Sequence, residues 1–139
     1  MLLGDRVTLF CESCNSNQEC IEQLSFSHLP DILILKIRRD QFVKGKGARR
    51  LERTVECDRH LSISLQDGDE ISSTKYHLIA VSHHLGQSLS KGHYTATLID
   101  PRRKRNLMWS YNDGSVSKTR YLDERTAYIL FYRKEKGPG

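Results

Sequence analysis

The residues best suited to chemistry form two short segments, Gly92-His93-Tyr94 and Trp109-Ser110-Tyr111-Asn112-Asp113. Histidine can act as a general base near neutral pH, and an amide or carboxylate close by can hold its ring in one orientation. A pair of this kind activates a cysteine thiol as a nucleophile. We therefore predict His93 as the base of a catalytic triad, with Asn112 or Asp113 as the residue that orients it.

The four cysteines of the chain do not include an obvious nucleophile. Cys11 and Cys14 form a Cys-x-x-Cys pair, which is half of a zinc site, whereas Cys20 lies in an apolar segment. Cys57 lies between two acidic residues, whose charges should raise the pKa of its thiol and reduce its reactivity. Cysteines without an extracellular context predict reduced thiols or a metal site, and hence a location in cytoplasm or nucleus.

The composition is that of one small domain with a polar surface: 139 residues, of which 37% are hydrophobic and 28% charged. No apolar run approaches the roughly 18 residues of a membrane span. The net charge of +5 is concentrated in two clusters, Lys44 to Arg53 and Arg102-Arg103-Lys104-Arg105. Such clusters could bind nucleic acid or an acidic protein face. Because neither is interleaved with aromatic residues, we expect two solvated loops instead.

Short apolar runs rich in Ile, Val, Leu and Tyr predict β-strands throughout the chain. We expect strands at residues 6–10, 20–26, 32–37, 61–65, 76–83, 93–99, 107–111 and 127–133. The absence of crossover helices favours an antiparallel sheet. The basic segment 40–56 is predicted to be an exposed loop. We expect one domain over residues 1–134, followed by a polar tail over 135–139.

Two of the predicted strands, Ile32-Leu33-Ile34-Leu35 and Ile129-Leu130-Phe131-Tyr132, are continuously apolar. Strands of this kind are buried on both faces of a sheet. A single sheet of 139 residues has little to cover both faces, so the pattern predicts a missing partner. That partner is either another part of a longer chain or a second protein.

Four segments together resemble the C-terminal half of a ubiquitin-specific protease catalytic domain. Cys11-Glu12-Ser13-Cys14, followed by Leu29-Pro30-Asp31-Ile32-Leu33-Ile34-Leu35-Lys36, is similar to the second zinc-ribbon pair of that family and the strand after it. Tyr76-His77-Leu78-Ile79-Ala80-Val81, with the later Gly92-His93-Tyr94-Thr95-Ala96, resembles its histidine box. Residues 109–116 resemble the segment that holds the third triad member, and residues 127–132 resemble the closing strand. Each segment alone is a weak match, but all four occur in order.

The resemblance implies an α+β fold, predominantly antiparallel β, that forms the palm and fingers part of a papain-like cysteine protease. The implied reaction is thiol-dependent hydrolysis of isopeptide or peptide bonds at the ubiquitin C-terminus, with ubiquitin and ubiquitinated proteins as partners. His93 would take the proton of the thiol and later protonate the leaving amine. Asn112 would orient the imidazole, with Asp113 as the second choice.

The expected substrate-binding residues are Gly92, Tyr94 and His84. Gly92 lacks a Cβ, which would let a substrate tail approach the backbone closely. His84 is expected to pack near the site rather than to catalyse. The segment 87–91 would be a mobile loop near the ubiquitin tail. The other histidines, at positions 28, 60, 77 and 83, are expected to be surface or strand residues.

The chain also departs from the family pattern, because nothing in it resembles the N-terminal box that supplies the nucleophilic cysteine and the oxyanion-hole asparagine. We therefore expect the isolated chain to be inactive and to need the missing N-terminal half of the domain. No cofactor is required, and a structural zinc is not expected from the single Cys11–Cys14 pair. The alternative functions are an inactive ubiquitin-binding or scaffold module and, more remotely, a basic nucleic-acid-binding β domain.

Overall fold

The computed structural model describes residues 5–22, 26, 28–45, 47–51, 53–67, 70–86, 91–100 and 107–136. This part of the chain contains strands and no helix, and each strand pair is antiparallel. The prediction of a predominantly antiparallel β fold is therefore confirmed. The strands are β1 (Asp5–Cys11), β2 (Ser16–Glu22), β3 (Ile32–Lys36), β4 (Asp40–Val43), β5 (Gly47–Arg50), β6 (His60–Asp67), β7 (Glu70–Leu85), β8 (His93–Ile99), β9 (Met108–Asn112), β10 (Ser115–Thr119) and β11 (Ala127–Lys134).

Strand β7 organises the main sheet because its 16 residues are long enough to pair with three other strands. Its first half pairs with β6, and its second half pairs with β8. Strand β11 occupies the other edge of β7 and continues to β3. The order is β10-β9-β8-β7-β11-β3, with β6 attached to β7, while β1–β2 and β4–β5 form separate two-stranded sheets.

One face of the main sheet carries the hydrophobic core. The two buried tyrosines of this core satisfy their hydroxyl groups on backbone carbonyls, as buried tyrosines usually do. Tyr76 donates to the carbonyl oxygen of Pro30 at 2.6 Å, and Tyr132 donates to that of Asp58 at 2.8 Å. These bonds fasten the segments before β3 and β6 across the core, whose buried members are Leu29, Leu33, Cys57, Tyr76, Leu78, Val81, Ala127, Leu130 and Tyr132.

The opposite face of the sheet is uncovered at two strands, β3 and β8. Ile34 of β3 is 58% exposed and Leu98 of β8 is 42% exposed. Nothing in the described residues covers the outer side of β3, so this chain alone does not bury the strand on both faces, and that burial would require the partner that the sequence predicts. Strand β11 has neighbours on both edges and keeps most of its apolar side chains at least partly buried.

The basic segment 40–56 is not the simple exposed loop that the sequence predicted. It contains the β4–β5 hairpin, and it is tied to the sheet by the buried Arg39. The Arg39 guanidinium donates to the carbonyl oxygens of Ala127, Leu51, Arg53 and Glu124. The segment therefore packs on the start of β11 instead of extending into solvent.

Two further strand predictions differ from the structure. The second strand begins at Ser16 rather than at residue 20, because its polar residues pair with β1 across a short turn. Strand β10 was missed because its sequence is polar, which suits an edge strand that pairs only with β9. Residues 87–90 of the predicted loop 87–91 and the basic cluster 102–105 lie outside the described residues. No helix in the described part is long and apolar enough to cross a membrane.

Candidate active site

The structure brings His93 and Asn112 into direct contact. Their atoms Nε2 and Oδ1 lie 2.7 Å apart, which is a short and well-formed hydrogen bond. The histidine side chain is 45% exposed, so its ring remains accessible to a reactant. The two residues lie on different strands, so this contact depends on the way the sheet pairs and not on local sequence.

The register of the sheet explains why these two side chains meet. Strands β8 and β9 pair with Ala96 opposite Tyr111, and continuing that register places Thr95 opposite Asn112. His93 lies two residues before Thr95, so it shares a face with Asn112 as its diagonal neighbour. A diagonal separation of about 7–8 Å between backbones is within reach of an imidazole and an amide.

Asp113 takes a more distant position at the same site. Its Oδ2 lies 3.7 Å from His93 Nε2, and its side chain is 81% exposed. The residue adopts a φ of 49°, a left-handed conformation that Asp and Asn tolerate better than most residues, in the turn that joins β9 to β10. Of the two predicted orienting residues, Asn112 therefore makes the hydrogen bond and Asp113 supplies a nearby, solvated negative charge.

The hydrogen bond to Asn112 selects the form of the His93 ring. An amide oxygen only accepts, so Nε2 must carry the proton that the ring donates. The neutral ring then keeps its lone pair on Nδ1, which has no hydrogen-bond partner among the described residues. This arrangement gives a base with a free lone pair and a fixed orientation, which is what proton abstraction from a thiol requires.

Gly92, immediately before the candidate base, is held against the buried ring of His84. A Cβ built on Gly92 would lie 2.0 Å from His84 Nε2, so no larger residue fits without displacement. Gly86 is equally restricted, because its φ is 144° and its Cβ would lie 2.7 Å from the Lys91 carbonyl oxygen. The two glycines therefore allow the backbone at the end of β7 to lie close to the backbone at the start of β8.

His84 and Tyr94, both predicted to bind substrate, form part of an aromatic cluster. Their ring centroids are 4.7 Å apart, and Tyr128 of β11 lies 5.7 Å from His84. His84 is buried whereas Tyr94 is exposed, so of these two residues Tyr94 is the one that offers its side chain to a ligand. Burial, aided by the charge of Arg50, lowers the pKa of His84 and keeps its ring neutral.

Arg50 supports the same region from the basic hairpin. Its guanidinium donates to the carbonyl oxygen of His84 at 2.5 Å and also to that of Gly86. Arg39 fixes the other end of the hairpin through its four backbone contacts, and burial lowers the pKa of its guanidinium. Neither arginine was predicted from the sequence: Arg50 was assigned to a solvated basic loop, and Arg39 was not given a role.

A second buried histidine, His83, joins β7 to β8 and to the turn before β11. Its Nδ1 lies 3.1 Å from the Thr126 hydroxyl oxygen, and its Nε2 lies 2.9 Å from that of Thr97. Burial lowers the pKa of His83, so its neutral ring serves as a hydrogen-bonded link between β7, β8 and the turn before β11. The prediction of a strand residue holds, but the side chain lies in the interior.

The environment of Cys57 does not suit a nucleophile. Its side chain is buried, and burial together with the carboxylate of Glu124 raises the pKa of its thiol to about 11. The sequence predicted this direction from the adjacent acids, but burial is the larger cause and Asp58 the smallest of those that act. A thiol of this kind is almost wholly protonated near neutral pH and inaccessible to substrate.

Cys11 and Cys14 lie at the turn of the β1–β2 hairpin. Hydrogen bonding from the backbone and side chain of Cys14, with a further contribution from Ser13, lowers the pKa of Cys11. A lowered pKa favours the thiolate that binds a metal. The pair therefore suits two of the four ligands of a structural zinc, and Cys20 and Cys57 are not arranged as a second pair.

Most of the chain is similar in sequence to ubiquitin carboxyl-terminal hydrolases. The family model of ubiquitin carboxyl-terminal hydrolases matches residues 6–132. The chain is 33% identical over 139 residues to ubiquitin carboxyl-terminal hydrolase 9 of Arabidopsis thaliana, covering 95% of this chain and 14% of that protein. It is 31% identical over 151 residues to ubiquitin carboxyl-terminal hydrolase 19 of Homo sapiens, covering 99% and 11%. The chain thus spans only a small part of the relatives it matches.

Solved structures agree with these relatives. The fold is similar to a chain of the yeast SAGA DUB module with an Sgf73 mutant, with a TM-score of 0.77 and 27% identity over 96% of this chain and 31% of that one. It is also similar to a chain of the SAGA DUB module bound to ubiquitin aldehyde, with a TM-score of 0.72 and 26% identity over 98% and 31%. The chain therefore belongs to the ubiquitin-specific protease family, and it corresponds to the C-terminal half of that family's catalytic domain.

Proposed function

We propose that this chain supplies the general base and its orienting residue to a cysteine-type deubiquitinase. The observation that supports this proposal best is the 2.7 Å hydrogen bond between His93 Nε2 and Asn112 Oδ1. The family membership of the chain supports the same reaction, which is hydrolysis of the bond after the C-terminal glycine of ubiquitin. Asp113 serves as a nearby charge rather than as the orienting group.

In the proposed mechanism, His93 works through its two ring nitrogens in different ways. Nδ1 accepts the thiol proton, and the resulting imidazolium remains bonded to Asn112 through Nε2–H. The thiolate then forms a C–S bond to the carbonyl carbon of the substrate, and the C–N bond to the leaving amine breaks as Nδ1–H protonates that amine. Water later releases ubiquitin from the acyl-enzyme, with His93 as the base that activates it.

We propose that the nucleophile comes from a segment outside these 139 residues. Cys57 is buried and its thiol pKa is raised to about 11, while Cys11 and Cys14 belong to the separate β1–β2 hairpin. The uncovered face of the main sheet, with Ile34 and Leu98 exposed, is where we place the docking of that segment. Covering an apolar face in this way contributes about 25 cal/mol of favourable free energy for each Å² of apolar surface that is removed from water.

We propose ubiquitin as the substrate group that this site receives. A SAGA DUB module that contains a chain of similar fold is described as bound to ubiquitin aldehyde. Tyr94 is exposed beside Gly92 and His93, so its ring is available to contact the extended tail of the substrate. We also propose a location in cytoplasm or nucleus, which the four free cysteines support.

The proposal is tested with the longer protein that contains this chain together with a cysteine-bearing segment. The measurement is the rate of release of a fluorescent amine from the ubiquitin C-terminus. His93→Ala is expected to lower kcat/KM by about a thousandfold or more, because the base is lost. Asn112→Ala is expected to cost on the order of a hundredfold through misorientation of the ring. Asp113→Ala should have a much smaller effect.

The matched control for this series is His28→Ala, which removes an exposed histidine far in sequence from the site and should leave the rate unchanged. A His93→Ala protein that hydrolyses ubiquitin conjugates at the normal rate would contradict the proposal. Binding of ubiquitin with no hydrolysis by the wild-type protein would favour the inactive scaffold function instead. Hydrolysis by the 139-residue chain alone would contradict an external nucleophile.

A further inference from the structure

We propose that His60, His77 and Glu135 form a second site, a surface-accessible one that binds a divalent transition metal such as Zn²⁺. One ligand atom from each of these three side chains lies within 4.8 Å of the other two. The cluster does not include His93, Asn112 or either cysteine of the Cys11–Cys14 pair. Its formation is therefore independent of the proposed catalytic function.

The two histidines are placed by the pairing of β6 with β7. His60 and His77 lie directly opposite each other in this antiparallel register, so both side chains project from the same face. Their rings meet edge-on with centroids 5.0 Å apart, and their Nδ1 atoms are separated by 3.2 Å. Because the two residues face each other across paired strands, their ring nitrogens lie close together whatever conformation the neighbouring loops adopt.

The carboxylate is brought to the pair by the end of β11. The backbone N–H of Glu135 donates to the carbonyl oxygen of Lys75 at 2.8 Å, which fixes its position beside β7. Its Oε1 then lies 3.3 Å from His77 Nε2. His77 and Glu135 side chains are each 32% exposed, so a metal ion can reach the cluster from solvent.

The donor set matches the chemistry of zinc. Two imidazoles and one carboxylate are a common three-ligand set for Zn²⁺, with a fourth position left for water. Zinc-to-ligand bonds of about 2.0–2.1 Å in a tetrahedron separate the ligand atoms by roughly 3.3 Å. The two separations observed, 3.2 Å and 3.3 Å, are close to that value, although they use different nitrogens of His77. One ion would use Nδ1 of His77, which lies beside Nδ1 of His60. Rotation of the solvent-accessible Glu135 side chain would bring its oxygen from Nε2 of His77 towards that ion.

The surroundings predict an affinity below that of closed cysteine-rich zinc sites. Arg133 pairs opposite His77 on β11, so its positive charge lies on the same face as the proposed ligands. Arg133 is exposed, which allows its guanidinium to extend into solvent and reduces the repulsion. The expected consequence of metal binding is a link between the β6–β7 hairpin and the end of β11, which stabilises the folded chain by mass action.

The test is a Co²⁺ and Zn²⁺ titration of the 139-residue chain in a Cys11→Ser/Cys14→Ser background, which removes the thiols that would also bind these ions. Co²⁺ reports its ligands through visible absorption, and bound thiolates would add a near-ultraviolet charge-transfer band. We expect one site per chain with visible absorption and without that band. Zn²⁺ should displace Co²⁺ and raise the Tm of the chain.

Variants then assign the ligands. His60→Gln and Glu135→Gln should each weaken Zn²⁺ binding at least tenfold and reduce the zinc-dependent rise in Tm, as loss of a ligand or its support typically does. His28→Gln is the matched control and should bind normally. Absence of saturable binding in the Cys11→Ser/Cys14→Ser background would overturn the proposal, as would unchanged affinity in both His60→Gln and Glu135→Gln. Circular dichroism confirms that each variant keeps its β structure.

Discussion

Two sites along β7 show how neighbouring residues decide what an imidazole can do. At the end of the strand, Leu85 pairs with His93, whose Nε2 contacts the amide oxygen of Asn112. In the middle of the strand, about eight residues or roughly 26 Å away, His77 contacts His60 and Glu135. Both sites are accessible to solvent and both rest on antiparallel pairing, but their sets of polar partners differ.

The difference lies in how many ring nitrogens are already engaged. His93 gives one nitrogen to a neutral acceptor and keeps the other lone pair free, which suits the transfer of a proton. His77 has polar atoms close to both of its nitrogens, and a second imidazole and a carboxylate converge on it. A cluster of two imidazoles and a carboxylate suits a cation instead. In the two proposals, the same residue type therefore provides a base at the end of β7 and metal ligands near its middle.

The largest expected effect comes from removing the contacts that hold the basic β4–β5 hairpin. This hairpin packs beside the His93 site, so the His93 site should depend on it more than the His60–His77 site does. Arg39 contacts four backbone carbonyl oxygens near the start of β11, on the His93 side of the sheet. Arg39→Met removes these bonds and leaves buried acceptors unpaired, so it should lower the free energy of unfolding by about 3 kcal/mol or more. Urea unfolding of the chain, followed by circular dichroism, measures this loss.

Arg38→Met is the matched control, because Arg38 is the exposed neighbour of Arg39. Its effect on stability should stay within about 0.5 kcal/mol. Equal stability of the Arg39→Met and Arg38→Met proteins would show that the buried guanidinium does not hold the hairpin. Hydrogen exchange of the Arg39→Met protein would sharpen the comparison. Its backbone amides in the β4–β5 hairpin should lose protection before those in β6.

A smaller effect is expected from the contact between Gly92 and His84. Gly92→Ala places a Cβ 2.0 Å from His84 Nε2, so the buried ring or the start of β8 must shift. Overpacking of this kind typically costs about 1–3 kcal/mol of folding free energy. In the parent protein it should also lower kcat/KM, because His93 is the next residue. Thermal unfolding and the hydrolysis rate measure the two consequences.

Gly114→Ala provides the comparison, because a Cβ at Gly114 meets no atom within 4 Å. It lies in the turn beside Asn112 and Asp113, so it tests whether any glycine substitution near the site is harmful. We expect little change in stability or rate. If the two alanine variants were equally mild, the proposed packing of Gly92 on His84 would be wrong.

The strand content and the pairing of His93 with Asn112 could be predicted from sequence, for different reasons. Apolar runs report local burial, so most strands of the main sheet were located to within a few residues. The proximity of His93 and Asn112 came from resemblance to a family, since no local pattern states that two strands pair. Asp113 was ranked second on the same basis, and the structure places it farther from the ring.

The features that sequence reasoning missed depend on long-range contacts. Arg50 belongs to the basic cluster and Arg39 lies shortly before it, and charge alone predicts that such side chains are solvated. Only the folded chain shows that their guanidinium groups reach backbone carbonyls of β7, β11 and the preceding turn. Likewise, His60 and His77 are 17 residues apart and carry no recognisable spacing, and they meet only because β6 and β7 pair in one register.

The most direct test of the comparison is the ring ¹⁵N NMR spectrum of the histidine-labelled chain in the Cys11→Ser/Cys14→Ser background, recorded with and without Zn²⁺. We predict that His93 exists as the single Nε2–H tautomer at pH values where it is neutral, and that its signals do not change when zinc is added. The signals of His60 and His77 should shift together on zinc binding. A His93 ring that carries its proton on Nδ1, or that responds to zinc while His60 and His77 do not, would contradict the account.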